Sequence, residues 1–342
     1  MQKKIQLMSL FPSEISSELG LTQAFRGKQI YSWITKGVTS FSQMKNLDKA
    51  TLQTLNEKCD LYSSQVYNAL KDPDGTIKLQ IKLYDGNVIE TVLLTDREGR
   101  KTACVSCQAG CAMKCAFCQT GQLGLSRNLE AGEIVEEFYH LEREAGTLDN
   151  IVFMGMGEPM QNLKEIRRAV EILTDPNGRN LSARRITLST CGIIKGIYEL
   201  ADQGPKVHLA ISLTTANPEL REQLMPVTKG NPLPELKKAI QYFTDKTGSR
   251  VTFEAALLSG KNTDSESAKR LADFASGIPV YINLIPWNEV PGLEFKSPSQ
   301  NECRKFIKEL ESYGLNVNLR VKRGSSIGGA CGQLGKTVKN PQ

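Results

Sequence analysis

Five of the nine cysteines fall between residues 104 and 118, and three of these, Cys111, Cys115 and Cys118, are spaced C-x3-C-x2-C. Three thiolates on one tight loop can each bind one iron of a cubane, because soft sulfur suits iron. The fourth iron of such a [4Fe–4S] cluster then lacks a protein ligand and is open to a small molecule. Zinc is the competing occupant. It takes four donors, and Cys107 or Cys104 would complete the set. Phe117, just before the third cysteine, is bulky and apolar enough to shield a cluster. A further cysteine, Cys331, stands in the glycine-rich run RGSSIGGACGQL. A lone cysteine is usually a small buried hydrophobe, but one on a flexible, exposed loop is of the more reactive kind.

These residues need elements to position them. Residues 1–60 read as helical: within 23–35, Phe25, Ile30, Trp33 and Ile34 fall on roughly one face, and residues 41–44 and 52–55 continue the pattern. From residue 65 the period changes to two. Ile77, Leu79, Ile81 and Leu83 alternate with Lys and Gln, and DPDG at 72–75 and YDGN at 84–87 are turn signals. A short antiparallel segment is expected there, with a soft boundary near residues 90–98. Beyond it, short apolar strands alternate with amphipathic helices. Strands are expected near 102–106, 150–154, 186–190, 207–212, 251–257, 280–285 and 317–321. Helices are expected near 130–145, 162–174, 193–203, 233–247, 264–275 and 298–313.

Six strand–helix units predict an α/β fold in which a parallel sheet curls into a partial (β/α)6 barrel. A closed eight-fold barrel needs two more units and about 250 residues. The chain thus divides into a small N-terminal helical accessory domain (1–64), a β-hairpin linker segment (65–96) and the barrel (97–342). In such folds chemistry gathers at the C-terminal ends of the strands, where Cys104 falls.

The bulk numbers set bounds. With 40% hydrophobic and 23% charged residues in 342, the chain has ample apolar material for a core. The net charge of +6 permits a nucleic-acid partner without demanding one. No apolar run reaches about 18 residues, and the N-terminus lacks an apolar signal region, so a cytoplasmic protein without membrane contact is expected. The odd cysteine count argues against a fully paired disulfide framework.

The C-x3-C-x2-C loop with an aromatic before its last cysteine resembles that of the radical S-adenosylmethionine (SAM) superfamily. There the open iron chelates the amine and carboxylate of SAM, and an electron from the cluster breaks a carbon–sulfur bond to give a 5′-deoxyadenosyl radical. VFMGMGEP at 152–159 is similar to that superfamily's GGE-type motif. By this likeness Gly157 and Glu158 bind the SAM amino group, a charge-assisted contact; judged alone, they read as a strand-end turn with a solvated glutamate. In order, TACVSCQAGC, FMGMGEP, RRITLST, INLIPWN and RGSSIGGACGQL resemble the motifs of the RlmN/Cfr family of RNA adenine methyltransferases. The likeness covers most of the chain, the N-terminal helices included.

The resemblance implies one [4Fe–4S] cluster and two SAM molecules per turnover. A first SAM methylates Cys331. The radical from a second removes a hydrogen from that S-methyl group, and the methylene radical adds to an adenine ring carbon. Glu90, in VIETV, matches the family's proton acceptor. Cys104 then attacks Cys331, forming a disulfide and releasing the methylated RNA. Ser189 in TLST, Ser212 with its neighbours Leu213 and Thr214 in AISLTT, and Asn288 in IPWN match SAM contacts. Each also reads, on its own, as a strand-end residue capping a turn.

There are departures. Thr214 stands where the family has a histidine, and Cys107 where it commonly has a serine. Cys107 is then a spare thiol or a stray metal ligand. Pro286 and Trp287 replace the Arg-Tyr pair of the Cfr branch, which methylates carbon 8, and so favour the RlmN branch and carbon 2. The implied substrate is 23S rRNA, with tRNA as a second substrate of some members; the implied reductant is a flavodoxin, and a monomer is expected. Three basic groups are expected to meet RNA phosphates, with 1–64 as an RNA-binding accessory. They are Arg167, Arg168, Arg184 and Arg185; Arg320, Lys322 and Arg323; and Arg26, Lys28 and Lys36 beside Tyr31 and Trp33. Singly, each also reads as a solvated helix face. Two other readings compete: a radical SAM mutase, lyase or activating enzyme, which leaves Cys104 and Cys331 idle, and a zinc-stabilised RNA-binding protein.

Overall fold

The computed structural model of this protein describes residues 4–335. A two-residue strand, β1 (Ile5–Gln6), leads into helices α1 (Pro12–Glu18), α2 (Ala24–Ile34) and α3 (Lys49–Lys58), and β2 (Cys59–Asp60) pairs back onto β1. Asp48 starts α3 by accepting the Thr51 N–H, a side-chain cap for an otherwise orphaned donor. The three helices bury Ile15, Ile30, Ile34 and Leu55. Phe25, expected on the same face, is 51% exposed. It precedes Ile30 by five residues, roughly 140° round a helix of 3.6 residues per turn. Tyr31 takes the inward place, and its hydroxyl donates to Asp175 at 3.1 Å.

Three antiparallel strands follow, β3 (Gln65–Lys71), β4 (Ile77–Lys82) and β5 (Val88–Thr95), joined through the two expected turns. They are not a free hairpin. β5 pairs with β6 (Lys101–Cys104), setting Val92 opposite Cys104, so the antiparallel segment extends the barrel sheet itself. After β6 come a small antiparallel pair, β7 (Gln108–Cys111) and β8 (Gly124–Asn128), with α4 (Gln119–Leu123) between them.

The repeating part then begins: α5 (Ala131–Ala145), β9 (Asn150–Phe153), α6 (Leu163–Thr174), β10 (Ile186–Thr190), α7 (Ile194–Gln203) and β11 (His208–Ser212). Two helices, α8 (Pro218–Leu224) and α9 (Leu233–Thr247), share the next crossover. Then come β12 (Val251–Leu257), α10 (Ser265–Ala275), β13 (Val280–Pro286), α11 (Gln300–Ser312) and β14 (Val317–Leu319). The sheet runs β14-β13-β12-β11-β10-β9-β6-β5-β4-β3, and from β6 to β14 neighbours are parallel. Six crossovers make the expected partial (β/α)6 barrel. Each expected strand and helix of the barrel lies within two residues of its observed bounds; α8 was not expected. The reason is periodicity. In α6, Ile166, Ala169, Val170 and Leu173 are buried at the i, i+3, i+4, i+7 spacing of one helix face. Among the described residues no helix is long and apolar enough to cross a membrane.

The antiparallel segment departs from its simple alternation. Lys78 and Gln80, on the polar face of β4, are each only 2% exposed. The stretch after β14 lies over that face: Lys78 Nζ donates to the Gly328 carbonyl at 3.2 Å.

Candidate active site

The cysteine loop is stitched to the barrel by its backbone. Ala116 N–H donates to Leu224 O at 2.8 Å, Gln119 N–H to Gly332 O at 2.8 Å, and the Trp287 indole N–H to Phe117 O at 2.9 Å. Cys111, Cys115 and Cys118 all line one cavity of about 180 Å³ at the C-terminal ends of the barrel strands. Phe117 lines it with them. Burial pushes the Cys111 thiol up to about 12 and raises Cys115 and Cys118 as well. A bound metal must displace those protons, since the thiolate is the ligand. Cys104 and Cys107, the two candidates for a fourth zinc donor, do not line this cavity. Among the described residues no three His, Cys, Asp or Glu side chains meet where one ion could be held.

The rest of the wall comes from successive strand ends. After β9 the chain turns at Gly157 with φ of +107°, and a Cβ there would lie 2.6 Å from Gln108 Cβ. Only glycine fits that combination. The turn aims Glu158 into the cavity, where it is 3% exposed and accepts the Cys191 N–H at 2.8 Å and the Met160 N–H at 3.0 Å. Burial raises its carboxyl above the usual range, against those hydrogen bonds. Ser189 is the penultimate residue of β10 and Ser212 ends β11; their hydroxyls lie 3.2 Å apart, and Ser189 donates to Glu254 Oε2 at 3.0 Å. Thr214 has φ of +61° and also lines the cavity. Its N–H donates to the Glu254 carbonyl at 3.1 Å. Leu213 differs: its side chain is fully buried and does not line the cavity, and its carbonyl is taken by Arg221 and Thr215.

Cys331 lines this cavity and also a second one of about 500 Å³, whose wall includes Cys104 and Arg320. Asn288 lines both and donates to the Cys331 carbonyl at 3.1 Å, while its Oδ1 is buried with no partner among the described residues. Water reaches the Cys331 surface, yet protein surrounds it across the cavity. That desolvation raises its thiol; Arg320 opposes the rise and Glu254 adds to it. Burial and the nearness of Cys331 raise the Cys104 thiol. Both are free cysteines, so no disulfide joins them in this state.

Glu90 stands apart from the cavities. It is fully buried on β5, within 3.0 Å of Lys78 Nζ, and it accepts from Gln80 Nε2 at 2.9 Å and from the Gly335 N–H at 2.7 Å. Cys107 is buried too; its carbonyl accepts from Leu129 and Asn162.

Several of the basic residues expected at RNA are engaged within the protein. Arg167 pairs with Glu199 at 2.8 Å, Arg168 with Glu14, and Arg26 with Asp48 at 2.6 Å. Arg320 pairs with Glu254 at 3.4 Å. Arg184, Arg185, Lys28 and Lys36 are exposed, with Lys36 Nζ 5.1 Å over the Trp33 ring. Glu254 itself escaped the sequence reading. Its one signal is that it is the only acid in the largely apolar strand VTFEAAL, where a buried acid needs a partner.

Comparison with known proteins places the chain in a family. The Radical SAM superfamily model matches residues 105–272, and a Ribosomal RNA large subunit methyltransferase N-terminal domain model matches residues 15–61. A Treponema denticola protein named a probable dual-specificity RNA methyltransferase RlmN is 61% identical over 98% of this chain and 96% of its own length. A Treponema pallidum protein of the same name is 52% identical over 97% of this chain and 98% of its own length. The crystal structure of a radical SAM methyltransferase from Sphaerobacter thermophilus matches with a TM-score of 0.93 at 39% identity, covering 97% of this chain and 99% of that one.

Proposed function

This chain belongs to the RlmN family of radical SAM RNA methyltransferases, and from that premise we propose that it methylates carbon 2 of an adenosine in 23S rRNA, and in tRNA, through a methyl group carried on Cys331. Two SAM molecules are used per turnover, and the work is done in the cytoplasm with a flavodoxin as reductant. The observation that carries this reading is the place of Cys331, which faces three clustered cysteines on one side and Cys104 on the other.

Cys111, Cys115 and Cys118 would hold the [4Fe–4S] cluster, which, with SAM at its open iron, supplies the electron that yields a 5′-deoxyadenosyl radical. The donor set fits: three thiols spread round one cavity suit a cubane, where each meets a different iron, better than a tetrahedral zinc. The buried Asn288 Oδ1 is an acceptor in want of a donor, and SAM carries several. Glu158 binds the ammonium of SAM, and Gly157 lets the chain turn tightly enough to aim it. Ser189 and Ser212 orient the nucleoside, with the Thr214 backbone and the Leu213 peptide behind them.

Cys331 Sγ gives up its proton and takes a methyl from the first SAM, releasing S-adenosylhomocysteine. Once the methylene radical has joined the adenine ring, the adduct has one proton and one electron to lose: Glu90 accepts the ring proton, and the electron would return to the cluster. The Glu90 carboxylate is tied to the carrier loop through the Gly335 N–H and is oriented by Lys78. Cys104 Sγ then attacks Cys331 Sγ: the sulfur–sulfur bond forms, the sulfur–carbon bond breaks, and the freed carbon takes a proton to become the product methyl.

The test is anaerobic reconstitution with iron and sulfide, incubation with SAM, a reductant and unmodified RNA, and mass spectrometry of both RNA nucleosides and protein. The expected products are 2-methyladenosine and a methylated Cys331. 8-Methyladenosine would overturn the choice of carbon, and a Cys331 never found methylated would overturn the carrier role.

A further inference from the structure

Arg221, on α8, has no exposed surface. All three arms of its guanidinium are engaged, but only by neutral groups. Nε donates to Leu213 O at 3.2 Å, Nη1 to Thr228 Oγ1 at 2.7 Å and Nη2 to Cys191 O at 2.7 Å. Among the described residues none of its partners is an acid. The other fully buried cation among the described residues, Lys78, has Glu90 at 3.0 Å. An arginine stays protonated in proteins, and a buried charge without a counter-charge is strongly unfavourable. The missing negative charge has to come from something else.

The surroundings of Arg221 say where. α8 is pressed against the cysteine loop: its last carbonyl, Leu224 O, accepts the Ala116 N–H at 2.8 Å. Leu224 and Met225 pack with Cys191, Met113, Cys115 and Phe117. Cys191, whose carbonyl holds Nη2, lines the cavity of the three cysteines.

We infer that Arg221 is a positioning residue for the redox centre: its fixed charge is balanced by the anionic cluster and its three thiolates, and it holds the one-electron reduction potential up. This rests on the cluster reading above. Three thiolates around a core of charge two plus leave one net negative charge, and reduction makes it two. A fixed cation in a low-dielectric wall therefore favours the reduced form. The side chain touches neither SAM nor RNA; it acts through the cluster, on the ease with which a low-potential donor delivers its electron.

Wild type, Arg221→Gln, Arg221→Lys and Thr228→Val are reconstituted anaerobically, their iron is counted, and the cluster potential is measured by spectroelectrochemical titration without SAM. All four proteins are expected to hold about four irons. Arg221→Gln is expected to lower the potential by about 59 mV, a tenfold bias towards the oxidised cluster for a one-electron couple. Arg221→Lys keeps the charge and should stay near wild type. Thr228→Val removes a hydrogen bond but no charge, and should stay there too. A Gln potential equal to wild type, or a Lys shift as large as the Gln shift, overturns the inference. If Arg221→Gln does not fold, Arg221→Met takes its place in the same titration, and a tenfold shift in the Lys variant still overturns the claim by itself. Iron in none of the proteins, wild type included, sinks the cluster reading; iron in all with one common potential sinks this inference alone.

Discussion

Asn288 spends its Nδ2 on the carbonyl of Cys331 and leaves its Oδ1 buried and unpartnered at the junction of the two cavities. An orphaned buried acceptor is costly, so it marks a place where a ligand donor belongs. Asn288→Ala should weaken SAM binding about 10- to 100-fold, the loss of one or two hydrogen bonds to a charged ligand, by calorimetry on the reconstituted protein. Unchanged affinity would show that Asn288 serves only the loop. Cys104→Ala leaves nothing to attack Cys331, so a covalent protein–RNA adduct should accumulate during turnover and appear as a shifted band on a denaturing gel. Free methylated RNA released at the wild-type rate would remove Cys104 from the reaction.

At the scale of elements, α5 is unusual for how many acids it buries. Three acids, Glu133, Glu136 and Glu137, lie on its covered face together with His140. Residues 63 and 64 explain one of them: both backbone N–H groups and both hydroxyls donate to the Glu136 carboxylate, and Ser64 also bonds His140. Burial pushes Glu136 up to about 7 against those hydrogen bonds, and burial with the nearby Arg143 pushes His140 down to about 3. The signs oppose. Between pH 4.5 and 7 the folded Glu136 keeps a proton that the unfolded chain has lost, so its contribution falls as pH rises. Between pH 6.5 and 3 the unfolded His140 takes a proton that the folded one refuses, so its contribution falls as pH drops. In the overlap the two slopes cancel. Glu136→Gln should therefore lose on the order of 2 kcal/mol of stability as pH falls from 6.5 to 4.5, and His140→Gln should gain a similar amount. Urea denaturation of the cluster-free variants at both pH values decides it; slopes of the same sign in the two would refute the assignment.

On the scale of the whole molecule, the antiparallel end of the sheet holds the loop that carries Cys331. Asp74 accepts the Gly324 N–H at 2.9 Å, Asp72 accepts from Ser326, and Lys78 and Glu90 bind Gly328 and Gly335. Replacing both Asp72 and Asp74 by alanine should cost about 1–3 kcal/mol and speed amide exchange across residues 324–335 while leaving the barrel helices protected. Exchange faster everywhere would mean global destabilisation instead. These contacts mark where sequence and structure part. The C-x3-C-x2-C spacing, the two-residue alternation of β4 and the helix period of α6 are local regularities, so the cysteine loop, the strand ends and the barrel could be read from neighbouring residues alone. In the sequence Lys78 reads only as one of the polar residues alternating along β4, the Arg320–Glu254 pair is not foreseen, and Glu254 is not singled out. Their partners lie as far as 250 residues away along the chain, as Gly328 does from Lys78. No local period encodes which loop will cover a sheet face or which strand end will stand beside Cys331; that was settled only when long-range packing removed water from those side chains and left each polar group to find a partner.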